Sequence, residues 1–153
     1  MTGALYIPVD QTAEQALAGV VVASEQGWRL AEGRGVAPED LYVPLHRRLF
    51  EVAPRLAHLS GIDEDSLAER IRLAADLANV PLSEVQRLVD DRPVQRDKSG
   101  ALAIRVKRAA EARRAMSWCQ TVFQRLGEGE RVDVVVADMG PGPAVSCGFG
   151  RSA

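Results

Sequence analysis

The sequence predicts an all-α protein: a compact bundle of about five to six helices with one long C-terminal helix, followed by a short strand-like segment and a flexible tail. Three observations lead there. Apolar residues recur at spacings of three and four from Ala13 to Leu126, the repeat of one helix face. Pro, Gly and helix-capping residues cut that repeat into segments. A composition 46% hydrophobic and 26% charged over 153 residues suits a single core.

The elements follow in order. Thr12 and Gln15 have the spacing of a capping box, so a helix is expected to begin there. Ala13, Ala16, Leu17, Val20 and Val21 then share one face, which must be buried. Gly27 ends the pattern, and Trp28 and Leu30 fall in a short segment before the turn Gly33-Arg34-Gly35. Pro44 suits a first helical turn, where its missing N–H would have no partner anyway. From it Leu45, Leu49, Val52, Leu56 and Leu59 form a seam that Phe50 widens, and Pro54 should kink or break it. Asp63 is placed to cap the next helix, with Ile62 and Leu67 as a hydrophobic staple and Leu67, Ile71, Ala74, Ala75 and Ala78 facing inward. Pro81 breaks the chain, Ser83 recaps it, and Val85, Leu88 and Val89 mark a short helix that stops by Pro93. Gln95 to Gly100 reads as a polar loop.

The longest element is expected from about Ala101 to Leu126, where Leu102, Val106, Ala109, Ala112, Met116, Cys119, Phe123 and Leu126 repeat by three and four. At 1.5 Å per residue it is roughly 40 Å long, more than a domain of this size can cover, so part of it is expected to meet a partner. The interface is placed at Met116, Cys119, Phe123 and Leu126, with Arg113 beside the stripe, either reaching solvent or meeting an acid. Val132 to Ala137 is β-branched and reads as a strand; Gly140 to Ala153 reads as a disordered tail. The chain thus divides into a helical domain, 7–126, and a strand-like and disordered remainder, 127–153.

Motifs for chemistry are missing. No glycine loop ends in Lys-Ser/Thr, so no means of holding nucleotide phosphates is evident, and Gly140-Pro-Gly142 and Gly148-Phe-Gly150 do not link a strand to a helix. His46 and His58 lack neighbours at metal-ligand spacing, and Cys119 lies on an apolar face without a nearby base, reading as a core thiol. No cofactor and no catalytic residues are expected. The formal charge of −2 gives no general pull toward nucleic acid or anionic lipid. Locally, Arg105, Lys107, Arg108 and Arg114, with Arg113, make the first half of the long helix basic, which is either a solvated face or a phosphate-binding patch. No apolar run approaches the ~18 residues of a membrane span, and two dissimilar cysteine contexts fit a reducing cytoplasm.

Two stretches carry a resemblance. Pro8-Val-Asp-Gln-Thr-Ala-Glu-Gln-Ala-Leu-Ala-Gly19 and Pro38-Glu-Asp-Leu-Tyr-Val-Pro-Leu-His-Arg-Arg-Leu-Phe-Glu51 resemble the N-terminal domain of DnaB-type replicative DNA helicases. Leu41, Tyr42, His46, Leu49 and Phe50 match that family's core pattern. Ile62-Asp63, the short helix 83–91, Arg92-Pro93, Ile104-Arg-Val-Lys107 and Ala112-Arg-Arg114 extend the similarity over about residues 7–126. Ala13 stands where the family usually has Glu, and Pro54 interrupts the third helix.

The resemblance implies an all-helical collar domain that pairs through a helical hairpin, offers a surface to primase and loader proteins, and carries no catalysis, the ATPase belonging to a following domain. A stand-alone relative would bind a replicative helicase, primase or loader protein, or form a homodimer, with weak or no direct nucleic-acid binding and no membrane contact. Gly127-Glu-Gly129 and the β-branched sequence after it have little propensity for the hairpin's second long arm. The alternative is a small nucleic-acid-binding regulator using the basic half of the long helix.

Overall fold

A computed structural model describes residues 6–94 and 97–143, excluding the side chain of Asp97. Among the described residues there are seven α-helices and no strand. The first, α1 (Gln11–Ala23), starts one residue ahead of the expected capping box: the Asp10 carboxylate accepts from the Ala13 amide at 3.1 Å. Its burial also exceeds one face. Ala13, Leu17 and Val21 join one core cluster and Ala18, Val22 and Ala23 another, so α1 runs through the middle, as a helix apolar most of the way round must.

Ser24 turns the corner. Its extended backbone ends α1, and its hydroxyl accepts from the Gly27 amide at 3.0 Å to cap α2 (Glu25–Gly33). Trp28 and Leu30 are therefore helical, and Gly27 lies within α2 rather than after α1. Gly35 makes the following turn with φ +79°, and a single 3-10 turn, Pro38–Asp40, leads to α3 (Pro44–Val52). Pro44 occupies the first turn, and Pro54 replaces further α-helix with a 3-10 turn, Ala53–Leu56, as its missing N–H requires.

Asp63 caps α4 (Glu64–Ala78), accepting from the Ser66 amide at 2.6 Å. The expected staple does not form. Gly61, at φ +69°, turns the chain so that Ile62 is 91% exposed. Asn79, in the left-handed conformation, ends α4, and α5 (Leu82–Asp90) follows Pro81 with no side-chain cap, placing Ser83 inside the first turn. α4 and α5 pack with α3 and one side of α1, and α6 (Asp97–Gly127) packs its first half on α1, α2 and the 3-10 turn Pro38–Asp40.

The expected loop is thus shorter: 97–100 are helical, while Gln95 and Arg96 lie outside the described residues. With 31 residues, α6 is about 46 Å long.

Val132–Met139, read from the sequence as a strand, is a helix, α7, folded back on α6. Four valines in a helix cost roughly 2 kcal/mol relative to alanine. Burying Val135, 1% exposed, offsets most of that, and an unpaired strand here would leave its backbone groups without partners. The disordered-tail expectation falls mostly on 144–153, outside the described residues.

Close packing of α1 on α5 depends on Gly19. A Cβ there would stand 2.1 Å from the Leu88 carbonyl oxygen and 3.2 Å from the Arg92 Cβ. Gly19→Ala is expected to push the helices apart and cost about 2 kcal/mol, despite alanine's higher helix propensity. Urea unfolding checks this; a stabilised variant would mean the contact is slack.

Candidate interaction surface

The surface has two parts: a set of ion pairs that fixes α6 against the bundle, and a hairpin that extends from it. In the first, Asp40, fully buried, accepts from the Ala37 amide at 2.9 Å, from Lys107 Nζ at 3.2 Å and from Arg114. Burial alone would raise its pKa, but the Ala37 amide, Arg114 and Lys107 hold it below the usual carboxylate value. Lys107 also reaches the Gly35 carbonyl at 2.9 Å.

Arg113 donates to the Pro8 carbonyl at 2.9 Å and to that of Asp40, and its guanidinium lies 5.5 Å from the centre of the Tyr42 ring. Its charge is therefore engaged within the fold, by two backbone carbonyls and an aromatic face. Arg105 forms a two-pronged pair with Asp10 at 2.7 and 2.8 Å.

Four of the five basic side chains thus serve to hold the N-terminal segment and the Pro38–Asp40 turn to α6. Arg108 is exposed, beside a shallow depression shared with Tyr6 and Asp10.

Of the residues matching the helicase pattern, Leu41, His46, Leu49 and Phe50 are buried, while Tyr42 is 44% exposed under Arg113. The structure adds one residue that sequence reasoning missed. Glu14, 2% exposed, accepts from His46 Nδ1 at 3.0 Å and from the amides of Tyr42 and Val43 at 3.0 and 2.7 Å. A carboxylate on α1 thereby caps α3, whose own cap position, Val43, has no polar side chain. The available signal was a carboxylate three residues before Leu17, on an inward face.

From Glu111 to Gly127 no residue of α6 is fully buried. Around this half α7 closes a short hairpin. Trp118 Nε1 donates to the Met139 carbonyl at 3.4 Å, and Arg125 pairs with Glu130 at 2.6 Å and with Asp138 at 2.7 Å. The missing second arm is therefore present, though only eight residues long.

The hairpin exposes apolar side chains among polar ones such as Gln124, Glu128, Arg131 and Asp133. Phe123 is 81% exposed, and Leu126 on α6 and Val132, Val134 and Val136 on α7 are exposed as well. Cys119, expected as a core thiol, is exposed on the same half of α6, and half-buried Met116 borders a small recess with Ile7 and Gln120.

Among the described residues no cluster of three or more His, Cys, Asp or Glu could hold a metal ion, and no helix is long and apolar enough to cross a membrane.

A helical head carrying a two-helix hairpin defines the class of fold, an all-α bundle with an appended helical hairpin. A similar solved structure is the crystal structure of the N-terminal domain of DnaB helicase from Mycobacterium tuberculosis, with a TM-score of 0.68 and 23% identity over 88% of this chain and 96% of that one. The chain has the fold of a DnaB N-terminal domain. No protein-family model and no curated protein matches the sequence.

Proposed function

We propose that this chain is a non-catalytic, cytoplasmic interaction module of DNA replication, which self-associates through the α6–α7 hairpin and in that form engages a replicative helicase, primase or loader protein. The observation behind this reading is the set of exposed apolar side chains on the hairpin, Phe123 foremost, on a fold shared with the N-terminal domain of a DnaB helicase. Apolar surface exposed on the hairpin costs free energy in water, and covering it by a second copy recovers that cost.

The nucleic-acid alternative draws less support, because Arg105, Lys107, Arg113 and Arg114 are already engaged within the fold. Phosphates would have to displace those partners.

Light scattering tests the proposal. At about 50 µM the protein is expected to behave as a dimer, and Phe123→Asp, by burying a charge in the interface, to weaken association at least about 100-fold. Helix content should not change, since Phe123 supports nothing inside the bundle. A wild-type monomer at that concentration, or a Phe123→Asp dimer as tight as wild type, sinks this reading.

A further inference from the structure

A cavity of about 310 Å3 lies where the α1–α2 corner, the turn at Gly61 and the exit of α5 meet. That is space for about ten waters, within the range of small-molecule sites. Its floor is held by direct backbone approach: a Cβ on Gly61 would stand 2.2 Å from the Ala23 carbonyl oxygen, and one on Gly27 2.5 Å from that of Val20. The cavity is therefore bounded by fixed elements rather than by loose packing.

Val20, Ala23 and Leu30 give it an apolar wall, and Val94, 93% exposed, stands at its rim. Four polar side chains line it as well: Ser24, whose hydroxyl already accepts from the Gly27 amide, Gln26, Arg92 and Ser99. Ser99 is only 6% exposed, yet its hydroxyl has no hydrogen-bond partner among the described residues. No fully enclosed side-chain polar atom there lacks a partner, so that hydroxyl keeps an open side, and the cavity is what Ser99 lines. Arg92 donates through Nη1 to the Val89 carbonyl at 2.6 Å, and no carboxylate among the described residues pairs with its guanidinium.

We propose that this cavity binds a small monocarboxylate with an apolar body of medium length. The carboxylate lies between the Arg92 guanidinium and the Ser99 hydroxyl, and the hydrocarbon lies against Val20, Ala23 and Leu30. A half-buried guanidinium with no carboxylate partner among the described residues favours an anionic head group, and the open Ser99 hydroxyl in the same lining supplies the second hydrogen bond. The patch formed by Val20, Ala23 and Leu30 suits hydrocarbon rather than a second charge.

Octanoate is the probe. Titrated into the isotopically labelled full chain, it is expected to bind saturably with a dissociation constant below about 1 mM and to shift the amide signals of Gly27, Leu30 and Ser99. Octylammonium, with the same body and the opposite head, should shift none of them. Arg92→Met is expected to weaken octanoate at least about 10-fold, and Ser99→Ala by a smaller factor, with folding of each verified by circular dichroism. Shifts spread over the hairpin, equal binding of octylammonium, or full affinity in Arg92→Met overturns the proposal. Should Arg92→Met fail to fold, the location of the wild-type shifts and the contrast between the two probes decide it.

Discussion

Arg70→Met is expected to destabilise the protein by about 4 kcal/mol, a large part of the 5 to 15 that holds a domain of ordinary stability together. Arg70 on α4 is fully buried, and its partners are backbone carbonyls: Val22 and Leu56 at 2.7 Å, Leu59 at 2.5 Å and Val21 at 3.5 Å. Val21 and Val22 belong to the last turn of α1, whose carbonyls have no partner within their own helix, and Leu56 and Leu59 stand at the end of the 3-10 turn and just beyond it.

One guanidinium thus supplies donors to two chain ends that meet inside the bundle, and the negative end of the α1 dipole helps hold its charge. Burial draws the Arg70 pKa below its ordinary value, and Glu25 works against that. Methionine fills similar space but leaves the buried Val21 and Val22 carbonyls without the guanidinium, each an uncompensated desolvation of roughly 1 to 3 kcal/mol, while the Leu56 carbonyl keeps the Leu59 amide at 3.0 Å.

The melting temperature should fall by about 10 °C, and Arg70→Lys, a point donor in place of a planar fork, should recover only part of the loss. Urea unfolding of Arg70→Met within about 1 kcal/mol of wild type would show that water takes over the role.

Glu14→Gln should cost about 3 kcal/mol and alter the response to acid. The amide keeps the shape of the carboxylate but has one acceptor oxygen to serve His46 and the amides of Tyr42 and Val43, and it turns an NH2 group toward donors. Burial of Glu14 would by itself raise its pKa; the bonds from His46, Val43 and Tyr42 outweigh it and hold the value below the ordinary 4.5. A depressed native pKa means that the unfolded chain binds the proton more tightly. The stabilisation is therefore complete above about pH 4.5 and is lost as pH falls through the native value.

Asp10 and Asp40, also held below their ordinary 3.8, add to acid sensitivity in the same direction. Subtracting the Glu14→Gln curve from the wild-type curve isolates the Glu14 contribution. The difference should shrink toward low pH; a difference constant from pH 7 to pH 3 would rule out a charged Glu14 as its source.

Signals carried by neighbours in sequence were legible. The spacing of apolar residues, the missing N–H of Pro54 and the carboxylate of Asp63 act within a turn or two, and helices α3, α4, α5 and the long α6 followed from them. At the hairpin the same logic failed. Valine prefers strand by local propensity, and Val132–Met139 became helical because α6 offered a surface that buries Val135 and an arginine that ties Glu130 and Asp138 together. The exposure of Phe123 agrees with the length of the helix, which outruns the domain, whereas Cys119, read as a core thiol, is exposed, since a stripe shows that apolar residues share a face and not what covers it.

By itself the sequence determined an all-α protein, the points where its helices break, and the apolar half of the long helix on which the proposed association rests. Tertiary structure alone decided the fate of its charges. Arg113 finds the Pro8 carbonyl 105 residues away, Lys107 finds Asp40 at 67, Arg70 finds Val22 at 48 and Glu14 finds His46 at 32. Periodicity has no information about such partners: a helical repeat records which side of a segment meets its neighbours, whereas a buried charge is stable only where another chain segment brings it a counter-charge or a hydrogen bond.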